Sequence, residues 1–189
     1  MNKLLIILFF CACTIGSIHG QVVGIKTNVL YDATTTLNLG LEFGLGKKMS
    51  LDISGNYNPW EFKDNKQFKH WLVQPELRYW FCERFNGSFL GLDGMYGDYN
   101  ISNIHMPFGL YKGLRDARYK GHFYGGGITY GYQWILGNHW NLEAAIGVGY
   151  ARVKYDKYSS CGDCGTLLES GHKNYFGPTK LALSFIYLF

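Results

Sequence analysis

Apolar and polar residues alternate along much of this chain, most clearly at positions 36–45 and 180–189. In the first of these segments every second residue is leucine or phenylalanine, and in the second every second residue is apolar up to Phe189. A period of two places successive side chains on opposite faces of a β-strand. Both segments are therefore predicted to be strands with one apolar face.

Six further segments repeat this period, which predicts eight strands in all. They span roughly 8–11 residues, close to the length that crosses a bilayer when a strand is tilted. The predicted strands are 23–32, 36–45, 51–58, 71–81, 90–97, 124–134, 140–150 and 180–189.

The connections between the predicted strands alternate in length. Short turns at 46–49, 82–86 and 136–139 alternate with longer segments at 59–70, 98–121 and 156–177, although the first connection is short. An even number of strands joined in this way is typical of an up-and-down outer-membrane barrel. Both termini are then expected on the short-turn side, which is the periplasm.

Two kinds of barrel fit the alternation. A lipocalin-like soluble barrel would turn its apolar rows inward, whereas a membrane barrel turns them toward lipid. The polar rows contain few charges and many glycines, such as Gly40, Gly125 and Gly147, while a soluble surface would be richer in Lys and Glu. We therefore predict an all-β fold, an eight-stranded antiparallel up-and-down transmembrane β-barrel.

The chain begins with the features of a secretory signal peptide. Lys3 precedes an apolar run at 4–12, and Ser17-Ile18-His19-Gly20 then offers a cleavage site with a small residue at its end. Lipoprotein processing at Cys13 is the alternative. Residues 1–20 are predicted to be removed, leaving 21–189 as a single barrel domain.

The aromatic end of the last predicted strand resembles the signal by which outer-membrane barrels reach their insertion machinery. Phe185, Tyr187 and Phe189 form this signal on the apolar face. The location predicted from it is the outer membrane.

The alternation within the predicted strands places eight charged side chains on the inward face. Side chains largely fill the lumen of an eight-stranded barrel, and buried charges there must be paired. We expect a structural ion network and a closed lumen; a narrow ion or small-solute channel through the same residues is the alternative. The residues are Lys26, Glu42, Asp52, Glu76, Arg78, Asp93, Glu143 and Lys180.

Cys161 and Cys164 lie in the last long connection. In an exported protein this spacing favours a loop disulfide. A zinc site would need two more ligands, of which His172 could supply one, so no metal site and no cofactor are predicted.

Catalytic and nucleic-acid functions receive little support. His70, His105, His122 and His172 project to the long-loop side, where an enzyme acting on lipid could form, but no nucleophile motif accompanies them. The net charge of +4 is spread along the chain, without a basic run interleaved with aromatics. We predict neither catalysis nor nucleic-acid binding.

Cationic and aromatic residues are interspersed in the long connections. The long connections would lie at the outer surface of the membrane. There the cations could contact the phosphates of outer-leaflet lipopolysaccharide, while the aromatic residues anchor at the headgroups. The cations are Lys63, Lys66, Lys69, Lys112, Arg115, Arg118 and Lys120, and the aromatics are Trp60, Phe62, Phe68, Phe108 and Tyr111.

Several segments together resemble an uncharacterised outer-membrane barrel family, a domain of unknown function, of Bacteroidetes-type bacteria. They are Lys26-Thr27-Asn28-Val29-Leu30-Tyr31-Asp32-Ala33, the stretches at 51–60 and 70–76, Tyr130-Gly131-Tyr132-Gln133-Trp134 and the stretch at 174–180. The resemblance covers essentially all of 21–189. It implies fold and location, and surface or fimbrial proteins as partners. The expected function is a structural or surface-interaction role.

Overall fold

The computed structural model describes residues 23–62, 66–102, 117–159 and 166–189. The predicted signal peptide at 1–20 and the predicted disulfide of Cys161 and Cys164 lie outside the described residues. The elements are β1 (Val23–Asn28), α1 (Val29–Ala33), β2 (Leu37–Gly44), β3 (Met49–Asn58), β4 (Glu61–Phe62), β5 (Lys66–Trp80), β6 (Gly87–Ser102), β7 (Ala117–Ile135), β8 (Trp140–Ser159) and β9 (Leu167–Leu188).

Eight of these strands form a closed antiparallel ring. Each strand pairs with the next along the chain, β3 pairs with β5, and β9 pairs with β1 to close the ring. The two-residue β4 pairs only with the start of β5. The prediction of an all-β fold with eight antiparallel strands is confirmed, and the ring is consistent with an up-and-down barrel.

The predicted first strand, 23–32, is shorter than expected. It ends at Asn28, and Val29–Ala33 form one helical turn. The Asn28 side chain accepts a hydrogen bond from Leu30 N at 3.1 Å, as a helix N-cap does. Asp32 accepts further bonds from Thr27 and Asn38. These local side-chain hydrogen bonds compete with the strand ladder, because they offer the backbone another geometry.

The later strands are longer than expected. β7, β8 and β9 have 19, 20 and 22 residues, so they take up parts of 98–121 and 156–177 that were predicted to be connections. Both faces of these extensions are partly exposed. An extension without one buried face shows no alternation, although its backbone ladder continues.

The two faces of the ring differ sharply in polarity. Large hydrophobic side chains on the outward face are exposed, including Leu41, Ile53, Leu77, Leu92, Ile128, Ile146, Val148 and Leu181. The inward face is mostly polar and buried. No helix in the described part of the chain is long and apolar enough to cross a membrane.

Candidate functional site: a buried ion network

All eight charged residues that the sequence placed inside are buried in the ring. Seven of them, from six strands, form one cluster of ion pairs, which we call the ion network. Its members are Lys26, Glu42, Asp52, Glu76, Arg78, Glu143 and Lys180.

Arg78 lies at the centre of the ion network and is 0% exposed. Its Nη1 is 2.9 Å from Glu42 Oε2 and 2.7 Å from Glu143 Oε2. Its Nε is 2.7 Å from Glu76 Oε1, and its Nη2 is 3.1 Å from Asp52 Oδ2. A planar guanidinium with five donors can contact four carboxylates at once, which a lysine ammonium cannot do as well.

Two lysines from neighbouring strands, Lys26 on β1 and Lys180 on β9, complete the ion network. Lys26 Nζ lies 3.0 Å from Asp52 Oδ1 and 3.7 Å from Glu143 Oε2. Lys180 Nζ lies 2.5 Å from Glu76 Oε2 and 3.6 Å from Asp52 Oδ2. Three cations thus face four carboxylates, and each carboxylate contacts at least one cation. Loss of one partner would leave a buried charge uncompensated, which is costly.

Asp93 is the predicted member that stands apart. It is buried, but its contact within the described residues is a hydrogen bond from Thr129 Oγ1 at 3.0 Å. It pairs in register with Glu76 on the neighbouring strand. The structure therefore places Asp93 beside the ion network but gives it no ion pair among the described residues.

Glycines on neighbouring strands leave the space that the long charged side chains occupy. A Cβ on Gly40 would lie 2.6 Å from Lys26 Cγ, and one on Gly91 would lie 2.6 Å from Glu76 Oε1. The abundance of glycine on the polar rows is therefore a packing requirement of the interior.

We expect Gly91→Ala to lower the free energy of unfolding by about 1–3 kcal/mol, because the added methyl displaces a carboxylate that Arg78 holds in place. Gly137→Ala is the matched control, since a Cβ there meets nothing within 4 Å. Urea unfolding of both variants in detergent micelles, followed by tryptophan fluorescence, measures the difference. Equal midpoints for the two variants would contradict this packing role.

An aromatic cluster of Trp80, Phe85 and Phe89 closes one end of the interior. This is the short-turn end, where the β2–β3, β5–β6 and β7–β8 turns lie. The Trp80 ring lies 4.8 Å from Phe89 and 5.9 Å from Phe85 between centroids, and all three are buried. The Arg78 guanidinium lies over the Phe89 ring at 4.3 Å. The ion network and the aromatic cluster therefore pack directly against each other.

A hydrogen-bond chain also joins the aromatic cluster to the ion network. Trp80 Nε1 donates to Ser50 Oγ at 2.9 Å, and Ser50 Oγ donates to Glu42 Oε1 at 2.5 Å. Glu42 Oε2 in turn lies 3.0 Å from Lys26 Nζ. The sequence analysis did not predict the aromatic cluster. Trp80 lies on the same face of its strand as Arg78, so a large aromatic residue in a row of polar residues was the signal available.

Tyrosines line the interior at the opposite, long-loop end. Tyr99 OH donates to the backbone oxygen of Lys154 at 3.1 Å, and the Tyr119 and Tyr155 rings lie 6.1 Å apart. Burial raises the pKa of Tyr99 to about 12, and the nearby Asp156 carboxylate adds to this rise. Tyr99 is a neutral hydrogen-bond donor at physiological pH, as a tyrosine with its ordinary pKa also is.

The remaining predicted site residues within the described part of the chain lie at the end of β9 and directly after it. Phe185 and Phe189 are exposed, and the Tyr187 ring lies 5.1 Å from Trp140 and 5.0 Å from Phe189. Phe189 N donates to Val23 O at 3.0 Å, across the seam that closes the ring. Among the described residues, no group of three or more His, Cys, Asp or Glu could hold a metal ion.

Comparison with known proteins identifies one family. The family model described as "Protein of unknown function (DUF3575)" matches residues 5–189. No curated protein matches the chain. Because the match covers nearly the whole sequence, the chain belongs to the DUF3575 family of proteins of unknown function.

Proposed function

We propose that this protein is a small outer-membrane β-barrel with a closed lumen and a structural or surface-interaction role, without catalysis. The single observation that carries the proposal is the inverted polarity of the ring, apolar outside and charged inside. A soluble barrel of this size would bury its apolar residues and expose its charges.

The outward face supports contact with lipid. A monomer in water rarely exposes a contiguous apolar surface of this extent. Across β5 to β8, the exposed residues Leu77, Leu92, Ile128 and Val148 lie in one continuous cross-strand row. We call the apolar outward surface around this row the outer band.

Aromatic residues border the outer band at both ends, as in the interfacial girdles of membrane barrels. Trp134, Trp140 and Phe81 lie toward the short-turn end, and Tyr96 and Tyr124 lie toward the long-loop end; all are exposed. This arrangement supports a membrane position with the short turns and both termini in the periplasm.

The interior supports a closed lumen. The ion network crosses it, the aromatic cluster fills the short-turn end, and the cavity beside the ion network measures only about 30 Å³. That is close to the volume of one water molecule in the liquid. A steady aqueous path for ions would need these groups to move apart.

Reconstitution into planar lipid bilayers tests the closed lumen. We expect no steady single-channel current from the purified protein, while an open porin added to the same bilayer conducts. Reproducible unitary currents that scale with protein concentration would overturn the closed lumen and favour a narrow channel.

The proposed partners follow from the proposed location. Outer-membrane lipid, including lipopolysaccharide, would cover the outer band. The barrel insertion machinery would recognise the last strand through Phe185, Tyr187 and Phe189, two of which are exposed on the outward face. Surface or fimbrial proteins are proposed partners on the family resemblance alone.

A further inference from the structure

The inward face of the ring changes character between the ion network and the long-loop end. Two cross-strand rows of β5 to β8 lie beyond the ion network on this face, and their larger side chains are mostly apolar or aromatic. The first row contains Leu72, Gly97, Phe123 and Val153, and the second contains His70, Tyr99, Gly121 and Tyr155. Rings and aliphatic side chains therefore line this part of the interior.

The outward face at the same height is polar. Asp98 on β6, His122 on β7 and Lys154 on β8 lie between the two inward rows in sequence and pair with each other in register. Strand alternation turns these three side chains away from the interior. This end of the ring thus has the polarity of a water-soluble barrel, the reverse of the outer band.

A cavity of about 610 Å³ lies at this end, and we call it the mouth cavity. It is centred on the inward cross-strand row of Asn58, His70, Tyr99 and Gly121. Sites for small molecules have volumes of about 300–1,000 Å³ and often lie in the mouths of β-barrels. Because the ion network crosses the interior below it, a ligand would enter from the long-loop end.

The aromatic wall of the mouth cavity is held in place by its neighbours. Tyr99 OH donates to the backbone oxygen of Lys154 at 3.1 Å, and the Tyr99 ring lies 6.3 Å from the Phe123 ring between centroids. Phe123 in turn lies over Gly97, where an added Cβ would be 2.9 Å from its Cζ. Asn58 Nδ2 donates to Thr36 Oγ1 at 3.0 Å. The wall is therefore formed before any ligand binds.

The formal charges of the residues that line the mouth cavity cancel. Two lysines, Lys69 and Lys120, stand against two aspartates, Asp98 and Asp156. Both aspartates already accept hydrogen bonds, Asp98 from Trp71 Nε1 at 2.9 Å and Asp156 from Ser170. A charged ligand would lose hydration on entry without meeting a surplus of the opposite charge, which is unfavourable. The charge balance favours an uncharged ligand.

We propose that the mouth cavity binds an uncharged small molecule with a flat apolar body and one or two hydroxyl or carbonyl oxygens. The body would pack against the Tyr99 ring, because aromatic pairs add favourable contact beyond the buried area alone. The oxygens would lie beside Asn58 and His70, the polar side chains of the central row. This inference goes beyond the proposed function and does not depend on a membrane location, since the cavity belongs to the ring itself.

Isothermal titration calorimetry with 2-naphthol tests the inference on the protein held in an amphipathic polymer without free detergent. We expect saturable binding of 2-naphthol, and binding about tenfold weaker for anionic 2-naphthalenesulfonate. Tyr99→Ala should bind 2-naphthol about tenfold less tightly, whereas Tyr99→Phe, which keeps the ring, should bind it within about twofold of the unmodified protein.

Tyr175→Ala is the matched control. Tyr175 also lies on the inward face, and its hydroxyl also donates to a backbone oxygen, that of Pro178 at 3.0 Å, but it does not line the mouth cavity. It should bind 2-naphthol like the unmodified protein.

Three results would overturn the inference. They are equal 2-naphthol affinities of Tyr99→Ala and Tyr175→Ala, tighter binding of the sulfonate than of 2-naphthol, and saturable binding of N-acetylglucosamine without binding of 2-naphthol. The last would make the mouth cavity a saccharide site. Failure of the protein to insert into lipid vesicles would overturn the proposed function but leave this inference standing.

Discussion

Replacing Arg78 with methionine is expected to lower the free energy of unfolding by about 3–5 kcal/mol, because it leaves buried carboxylates without the cation that they share. Arg78 is fully buried and contacts four carboxylates at 2.7 to 3.1 Å. Without it, Lys26 and Lys180 remain to balance four negative charges in a low-dielectric interior. Urea unfolding in detergent micelles, with tryptophan fluorescence as the signal, measures the loss.

A second variant separates loss of charge balance from loss of side-chain volume. Glu143 receives two hydrogen bonds from Arg78, at 2.7 and 3.1 Å. Adding Glu143→Gln to Arg78→Met removes one uncompensated charge, so we expect the double variant to recover about 1 kcal/mol or more. Arg152→Met changes an exposed arginine and should shift stability by less than about 0.5 kcal/mol. An Arg78→Met midpoint equal to that of Arg152→Met would show that the ion network has no structural role.

A charged substitution on the outward face is expected to have the second large effect on stability. Leu92 is 66% exposed and lies in register between Leu77 and Ile128 in the outer band. Leu92→Arg should cost about 2–4 kcal/mol if this position lies near the bilayer midplane. Refolding into lipid vesicles, with the folded fraction measured by its altered electrophoretic mobility before heating, gives the size of the effect.

A leucine outside the outer band provides the control. Leu136 is 57% exposed and lies in the β7–β8 turn at the short-turn end. Leu136→Arg should cost about 0–1 kcal/mol, because charges near the interface remain hydrated. In a water-soluble protein both substitutions would be harmless. Equal folded fractions for the two variants in vesicles would therefore exclude a lipid-facing outer band.

The local pattern of the sequence was sufficient for much of the fold. Alternation at 36–45 and 180–189 predicted strands because a period of two is a property of neighbouring residues alone. The same alternation identified the eight charged residues that are buried in the described part of the chain, since an inward-facing position recurs at every second residue. The pattern failed at Val29–Ala33, where the Asn28 cap starts a helical turn, and in the extensions of β7 to β9, where neither face is fully buried.

The sequence by itself determined the eight strands of the ring, the inward charges and the surplus of glycine on the polar rows. Only the tertiary structure decided which charges meet: Arg78 bonds with Glu143, 65 positions away, while Asp93 has no ion pair among the residues that the structure describes. It also decided that Trp80 and Phe89 pack together at one end of the interior. The physical reason is that alternation is local, whereas contacts across the interior depend on the register of every strand in the closed ring.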